Sequence, residues 1–281
     1  MTADATPLVL PEPGSPMGAR IAVAMAACDE ADAIALQHFR QDLHIEAKPD
    51  KSFVTQADTA IERAIRARFK SAFPDDGLVG EEYGTEDGAH PVRWIIDPID
   101  GTHNFMRGVP LFGTLLGLED HGELTLGVLS APALGQRWLA WKGGGSWEAR
   151  IVDGSWDPAS ARRLRVSGVS RLEDSQLLYS SVPQLIDSGM VPGFARLIRE
   201  VWRDRGFGDF WGYALVAGGM AEGMLEIGCK SWDLAGPAVL VSEAGGTLSN
   251  LDGVLDIYAE GLILATNGLL HERYLEELQR A

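Results

Sequence analysis

The 281-residue sequence predicts an α/β protein, α+β in its N-terminal half and α/β in its C-terminal half. Three observations carry this. Ile61, Ile65, Phe69 and Phe73 fall on one helical stripe, with Glu62, Arg63, Arg66 and Lys70 off it. The runs GTLLGLE, ELTLGVLSA and QRWLAWKGG read as strands punctuated by Gly, Asp and Pro, the pattern of an antiparallel meander. From QLLYSS onward, strand-like and helix-like segments alternate.

In chain order, Met1 to Pro16 is Pro-rich, lacks the basic-then-apolar order of a signal peptide, and reads as a frayed leader. Ser15-Pro16 is an N-cap followed by proline at the first helical position, so an Ala-rich helix is expected to about Phe39. The striped helix ends at Pro74. LVGEEYG is a short strand that runs into acid, and VRWIIDPIDGT is another. In KGGGSWE the glycines lack G-x-G-x-x-G spacing, so a hairpin turn is expected there. Ile151 to Arg162 reads as a polar loop. PGFARLIREVW, WGYALVAGGMAEG, DLAGPAVLVSEAGG, GLILATN and LLHERYLEELQ continue the second half. The expectation is a single domain, 1–281, in two packed halves of about 15–150 and about 160–281.

The 24 Lys and Arg against 40 Asp and Glu leave a net charge of −16. That opposes a nucleic-acid or anionic-membrane surface. It also opposes an anionic substrate unless bound cations reverse the sign locally. The two cysteines, Cys28 and Cys229, make no disulfide framework and suit a reducing cytoplasm. No apolar run is long enough to span a bilayer.

Chemistry concentrates where apolar runs or turns end in acid: Asp58 in VTQAD, Glu81 in VGEEYG, Asp97 and Asp100 in IIDPIDGT, and Asp233 in SWDLAG. Acids gathered at element ends from distant parts of the chain suit a hard cation such as Mg²⁺, which takes oxygen ligands and keeps open positions. Each acid alone has a plainer role. Asp58 and Asp233 could be helix N-caps, and Glu81 and Glu82 solvated loop acids. The string from Asp97 to Thr102 is harder to dismiss. Pro98 sets a turn between the aspartates, Gly101 leaves room for an anion, and Thr102 adds a hydroxyl and an N–H.

The succession GEE, WIIDPIDGTHNF and WDLAG…EAGG resembles the inositol monophosphatase family of Mg²⁺-dependent, lithium-sensitive phosphatases, over about Lys48 to Gly246. NFMRGVP, GVLSAPALGQRW and RGFGDFWGYALVAGG are similar to its histidinol-phosphatase branch. The resemblance implies a layered α-β-α-β-α sandwich, a homodimer, and two or three Mg²⁺ per active site. It places Glu81, Asp97 and the Ile99 carbonyl on a first metal, and Asp97, Asp100 and Asp233 on a second. Asp58 and Thr102 would orient and deprotonate water, with Glu81 in the catalytic set. The N–H groups of Gly101 and Thr102 would hold phosphate. Lys48 matches a family lysine near the site, with Lys51 competing for that match. His103 stands where the branch commonly has lysine.

Asp209, set between glycine and aromatic residues, is a candidate contact for a substrate carrying an ammonium group. Glu226, seven residues before Asp233, is placed like the residue of the resembled family that contacts the leaving alcohol and is the second candidate substrate contact. The function implied is a cytoplasmic phosphatase acting on L-histidinol phosphate in histidine biosynthesis. The alternatives are an inositol-1-monophosphatase, a 3′,5′-bisphosphate nucleotidase, and a non-enzymatic regulatory member of the family. The intact acid set argues against the last. Arg205 is expected to pair with a neighbouring acid, and Cys229 to be a small buried residue.

Overall fold

The structure, a computed structural model, describes residues 6–41, 45–47, 53–259 and 261–280. The Ser15 hydroxyl accepts the Gly18 N–H, and Pro16 opens α1 (Pro16–His38). That helix buries small residues, among them Ala24, Ala27, Cys28 and Ala31. From residue 6 on, the preceding segment is not frayed: Leu8 packs on the same core, and the Ser15 N–H donates to the Glu12 carbonyl. β1 (Ile45–Ala47) pairs antiparallel with β2 (Phe53–Thr55), which leads into α2 (Gln56–Ala72). Ile61, Ile65 and Phe69 are buried on the expected stripe, and Phe73 is the C-cap ahead of Pro74. Off the stripe, Glu62 and Arg66 are buried as well, so α2 has a second covered face.

β3 (Gly77–Gly80), β4 (Gly84–Glu86) and β5 (Val92–Asp100) are followed by the short α3 (Thr102–Met106). β6 (Gly113–Asp120), β7 (Glu123–Ala131), β8 (Gln136–Trp141) and β9 (Gly145–Val152) form the expected meander, with the glycine-rich hairpin between the last two. Residues 151–162 are not simply a loop. They hold the end of β9, then β10 (Ser155–Trp156), a 3₁₀ turn, and the start of β11 (Arg162–Leu164). Trp156 anchors the stretch: it packs on the core, and its indole N–H donates to the Arg137 carbonyl at 3.3 Å. The sheet order is β10-β9-β8-β7-β6-β5-β3-β4 with β11 also on β9, and β3–β5 is its parallel pair.

The second half supplies β12 (Gln176–Tyr179), α4 (Val182–Asp187), α5 (Val191–Glu200), β13 (Arg203–Arg205), α6 (Asp209–Ala217) and β14 (Gly223–Ile227). It ends with α7 (Ser231–Glu243), β15 (Thr247–Ser249), β16 (Leu262–Thr266) and α8 (His271–Gln279). Its sheet runs β13-β12-β14-β16-β15, with β12 parallel to both neighbours and β16 antiparallel to both of its own. Helices α1 and α2 cover the first sheet, α6 and α7 lie between the sheets, and α5 and α8 cover the second, giving an α-β-α-β-α sandwich. Helix α7 sits unusually close to the first sheet. A Cβ at Gly117 would lie 2.4 Å from the Ala235 Cβ, and one at Gly127 would lie 2.4 Å from the Gly236 carbonyl oxygen. This contact sets the distance between Asp233, at the start of α7, and the acids of β5.

Candidate active site

In a regular strand, residues 97 and 100 would face opposite sides, because side chains alternate. The expected turn at Pro98 is instead a bulge within β5. Asp97 pairs with Leu115 and Asp100 with Gly113, so three steps on β5 match two on β6. Pro98 falls in that irregularity, where its missing N–H breaks no regular ladder bond. The bulge turns both carboxylates to one side. Asp233 comes in from the first turn of α7, where its Oδ2 accepts the Lys230 N–H at 2.7 Å. One carboxylate oxygen from each of Asp97, Asp100 and Asp233 lies within 4.8 Å of the others.

These acids line a cleft of about 670 Å³ that also receives Glu81, Ile99, Gly101, Thr102, His103, Asp209, Glu226 and Lys230. The Asp100 carboxylate accepts the Phe210 N–H at 2.7 Å, tying the acid cluster to the start of α6. Asp209, the first residue of α6, has φ 57°, and its own N–H donates to Glu226 Oε1 at 3.3 Å. The Asn104 amide donates to Asp209 Oδ2 at 3.2 Å. Thr102 donates its hydroxyl to the Ile99 carbonyl at 2.9 Å. Gly101 has φ 77°, and a Cβ there would lie 2.9 Å from the Leu111 carbonyl oxygen, so backbone fills the cradle that a side chain would occupy.

Asp58 and Asp233 are neither of them N-caps. Thr55 caps α2, and Asp58 completes a capping box as its third residue: Oδ2 accepts the Thr55 N–H at 2.8 Å and its hydroxyl at 2.6 Å. Oδ1 of Asp58 and Oδ1 of Asp97 are both buried with no hydrogen-bond partner among the described residues. Burial, followed by the charges of Glu81, Asp100, Asp233 and Asp58, pushes Asp97 well above the carboxylate range. Burial, followed by Asp209 and Asp233, does the same to Asp100. Burial raises Asp58 to about 6 against the Thr55 bonds, and Asp233 to about 6 against the Lys230 N–H. Burial, then the Asp209 charge, takes Glu226 to about 7. Asp209 is raised by burial, with His103 opposing. Six carboxylates thus share one cleft with His103 and Lys230 among the described residues. Orphaned oxygens and mutual repulsion of this kind fit a bound cation.

The profile of the inositol monophosphatase family matches residues 18–281. The chain belongs to the inositol monophosphatase family. It is 43% identical over 257 residues to the histidinol-phosphatase of Streptomyces coelicolor, covering 90% of this chain and 94% of that one. It is 33% identical to the inositol-1-monophosphatase of Mesorhizobium japonicum, covering 85% and 88% of the two chains. Among solved structures, the extragenic suppressor protein suhB from Bartonella henselae superposes with a TM-score of 0.84 at 28% identity, over 94% of this chain and 99% of that one.

Within this family member, nine of the expected site residues meet in the cleft: Glu81, Asp97, Ile99, Asp100, Gly101, Thr102, Asp209, Glu226 and Asp233. Asp58 stands behind them, fully buried, with its charge acting on Asp97. Lys48 and Lys51 lie outside the described residues. Arg205 donates to the Asp204 carbonyl rather than to an acid side chain. Cys229 is buried against the Tyr213 hydroxyl at 3.7 Å. The sequence reading missed Lys230; the available signal was its place just ahead of a helix whose third residue is an acid.

Proposed function

We propose that the chain is a Mg²⁺-dependent histidinol-phosphatase, hydrolysing L-histidinol phosphate to L-histidinol and phosphate in histidine biosynthesis. The observation that carries this is a second acid pair, Asp209 and Glu226, in the same cleft as the Asp97, Asp100 and Asp233 cluster. A polyol could reach these carboxylates only through its neutral hydroxyls, whereas an ammonium group gives them an opposite charge to pair with. The 43% identity to a protein named histidinol-phosphatase supports the same reading.

Glu81, Asp97, Asp100, Asp233 and the Ile99 carbonyl would hold two or three Mg²⁺, and the orphaned Asp97 oxygen fits that role. Bound there, Mg²⁺ supplies positive charge against the phosphoryl oxygens as the ester bond breaks. As the water attacks, Asp58 would take its proton on Oδ1, which has no partner among the described residues, while Thr55 holds Oδ2 and fixes the carboxylate plane. The departing alkoxide would take a proton from water in the cleft. Thr102, whose proton is committed to the Ile99 carbonyl, offers its oxygen lone pairs to orient that water. The backbone N–H groups of Gly101 and Thr102 would bind phosphate. Asp209 and Glu226 receive the substrate ammonium, and its arrival favours the ionised form of Glu226.

We infer a cytoplasmic homodimer with a small phosphate monoester as substrate and no nucleic-acid or membrane partner. The net charge of −16 argues against a nucleic-acid or anionic-membrane surface, the two free cysteines suit a reducing cytoplasm, and the homodimer rests on the family resemblance. No helix among the described residues is long and apolar enough to cross a membrane. The test is phosphate release from L-histidinol phosphate with Mg²⁺ and after chelation. Release that requires Mg²⁺ is expected, and no release under either condition would sink the proposal.

A further inference from the structure

Glu62 has no exposed surface, although it sits on α2 away from the apolar stripe. It lies one helical turn after Asp58, and residues four apart share a helix face. Its carboxylate is spent on the segment that carries Glu81. Oε2 accepts the Glu82 N–H at 2.7 Å, and Oε1 accepts the Tyr83 N–H at 3.2 Å. On the other side of Glu81, Gly80 leaves room for the carboxylate: a Cβ there would lie 2.0 Å from Glu62 Oε1. Glu81 itself donates its N–H to the Ile96 carbonyl at 3.3 Å, directly ahead of Asp97. Arg66 completes the clamp. Its Nε donates to Glu62 Oε1 at 2.7 Å, and a terminal nitrogen donates to the Gly84 carbonyl.

Resting on the phosphatase reading above, we propose that Glu62 is the positioning residue of Glu81, and that it sets the affinity of the site for Mg²⁺. After Gly80 the chain turns through the hairpin between β3 and β4, where the Glu81 N–H still reaches the Ile96 carbonyl but the next two N–H groups, of Glu82 and Tyr83, point to Glu62. Without a partner, the N–H groups of Glu82 and Tyr83 would be free to turn, and the Glu81 side chain with them. A buried carboxylate that takes both N–H groups, and is itself held by a guanidinium, fixes two consecutive peptide planes. One helix thus carries both the Asp58 carboxylate and the clamp that aims Glu81, so the two keep a constant separation. The role is indirect: Glu62 is not among the described residues that line the cleft.

The experiment is titration of MgCl₂ into substrate-free wild type, E62Q and G80A by isothermal calorimetry. Metal-free melting curves and kcat and KM at varied Mg²⁺ accompany it. Gln keeps one acceptor oxygen but presents an NH₂ group to the second backbone N–H. The methyl group that G80A adds would press on the Glu62 carboxylate without removing it. Partners just outside a ligand shell change metal affinity by about tenfold to a hundredfold. That loss is expected in both variants, with KM for the phosphoester unchanged at saturating Mg²⁺ and kcat largely recovered there. G80A keeps the question decidable if E62Q does not fold. Mg²⁺ affinity equal to wild type, with a lowered metal-free melting temperature, would make Glu62 a fold residue only and overturn the inference. A wild type that binds no Mg²⁺ would overturn both this inference and the reading beneath it.

Discussion

Glu226→Gln should make the metal-free protein more stable and the enzyme less active. Glu226 is buried, and burial together with the Asp209 charge raises its pKa from 4.5 to about 7. An acid whose folded pKa is raised binds more protons in the native state than in the unfolded one. Its contribution to stability is therefore intact below about pH 4.5 and is lost as pH rises through about 7. A rise from 4.5 to about 7 corresponds to roughly 3 kcal/mol. Gln has the same shape, no charge, and an oxygen that can still accept the Asp209 N–H. Wild type and E226Q should melt alike near pH 4. By about pH 8 in chelator, E226Q should melt some 6–12 °C higher, at 2–4 °C per kcal/mol for a chain of this size. Adding Mg²⁺ at about pH 8 should narrow the gap, because cations in the cleft favour the ionised acid. The assay is melting temperature against pH with and without chelator. Parallel curves for the two proteins across the whole range would refute the claim that Glu226 is ionised at a cost to folding.

Asp97→Asn should abolish phosphate release with an unchanged circular dichroism spectrum, since Asn keeps the bulge geometry but removes the central charge of the acid cluster; near-normal turnover would remove Asp97 from the mechanism. Gly117→Val should push α7 off the sheet, because the first added carbon already lies 2.4 Å from the Ala235 Cβ. A stability loss of about 1–3 kcal/mol from overpacking, and weaker Mg²⁺ binding through displaced Asp233, should appear in denaturant titration and calorimetry. Lithium should inhibit turnover more than potassium at equal ionic strength, as in the family this chain resembles; equal responses to LiCl and KCl would count against a second metal site of that kind.

The layer order was legible because each layer has its own periodicity. Ile61, Ile65 and Phe69 repeat at helical spacing, and the β6 to β9 meander is punctuated by glycine. The acid set was legible because its members end apolar runs. What local pattern could not show is how Asp97 and Asp100 come to one side. That depends on a bulge, and a bulge is a relation between two strands rather than a property of one. Glu62 and Arg66 lie off the apolar stripe, and local pattern gives no sign of their burial for a similar reason: the segment that buries them lies about twenty residues further on, and its two donor N–H groups belong to the backbone. The stretch from Ile151 to Arg162 was misread because its polar composition conceals one anchoring indole, Trp156.

The most direct test of the central claim is kcat/KM for L-histidinol phosphate and for myo-inositol 1-phosphate, measured with wild type and Asp209→Asn at saturating Mg²⁺. If Asp209 receives the ammonium group, wild type prefers L-histidinol phosphate. A charge-assisted hydrogen bond contributes about 1.5–3 kcal/mol, so Asp209→Asn should cut that preference by about tenfold to somewhat over a hundredfold, with the inositol ester barely affected. A wild type that prefers myo-inositol 1-phosphate, or a variant that loses both activities equally, would contradict the account.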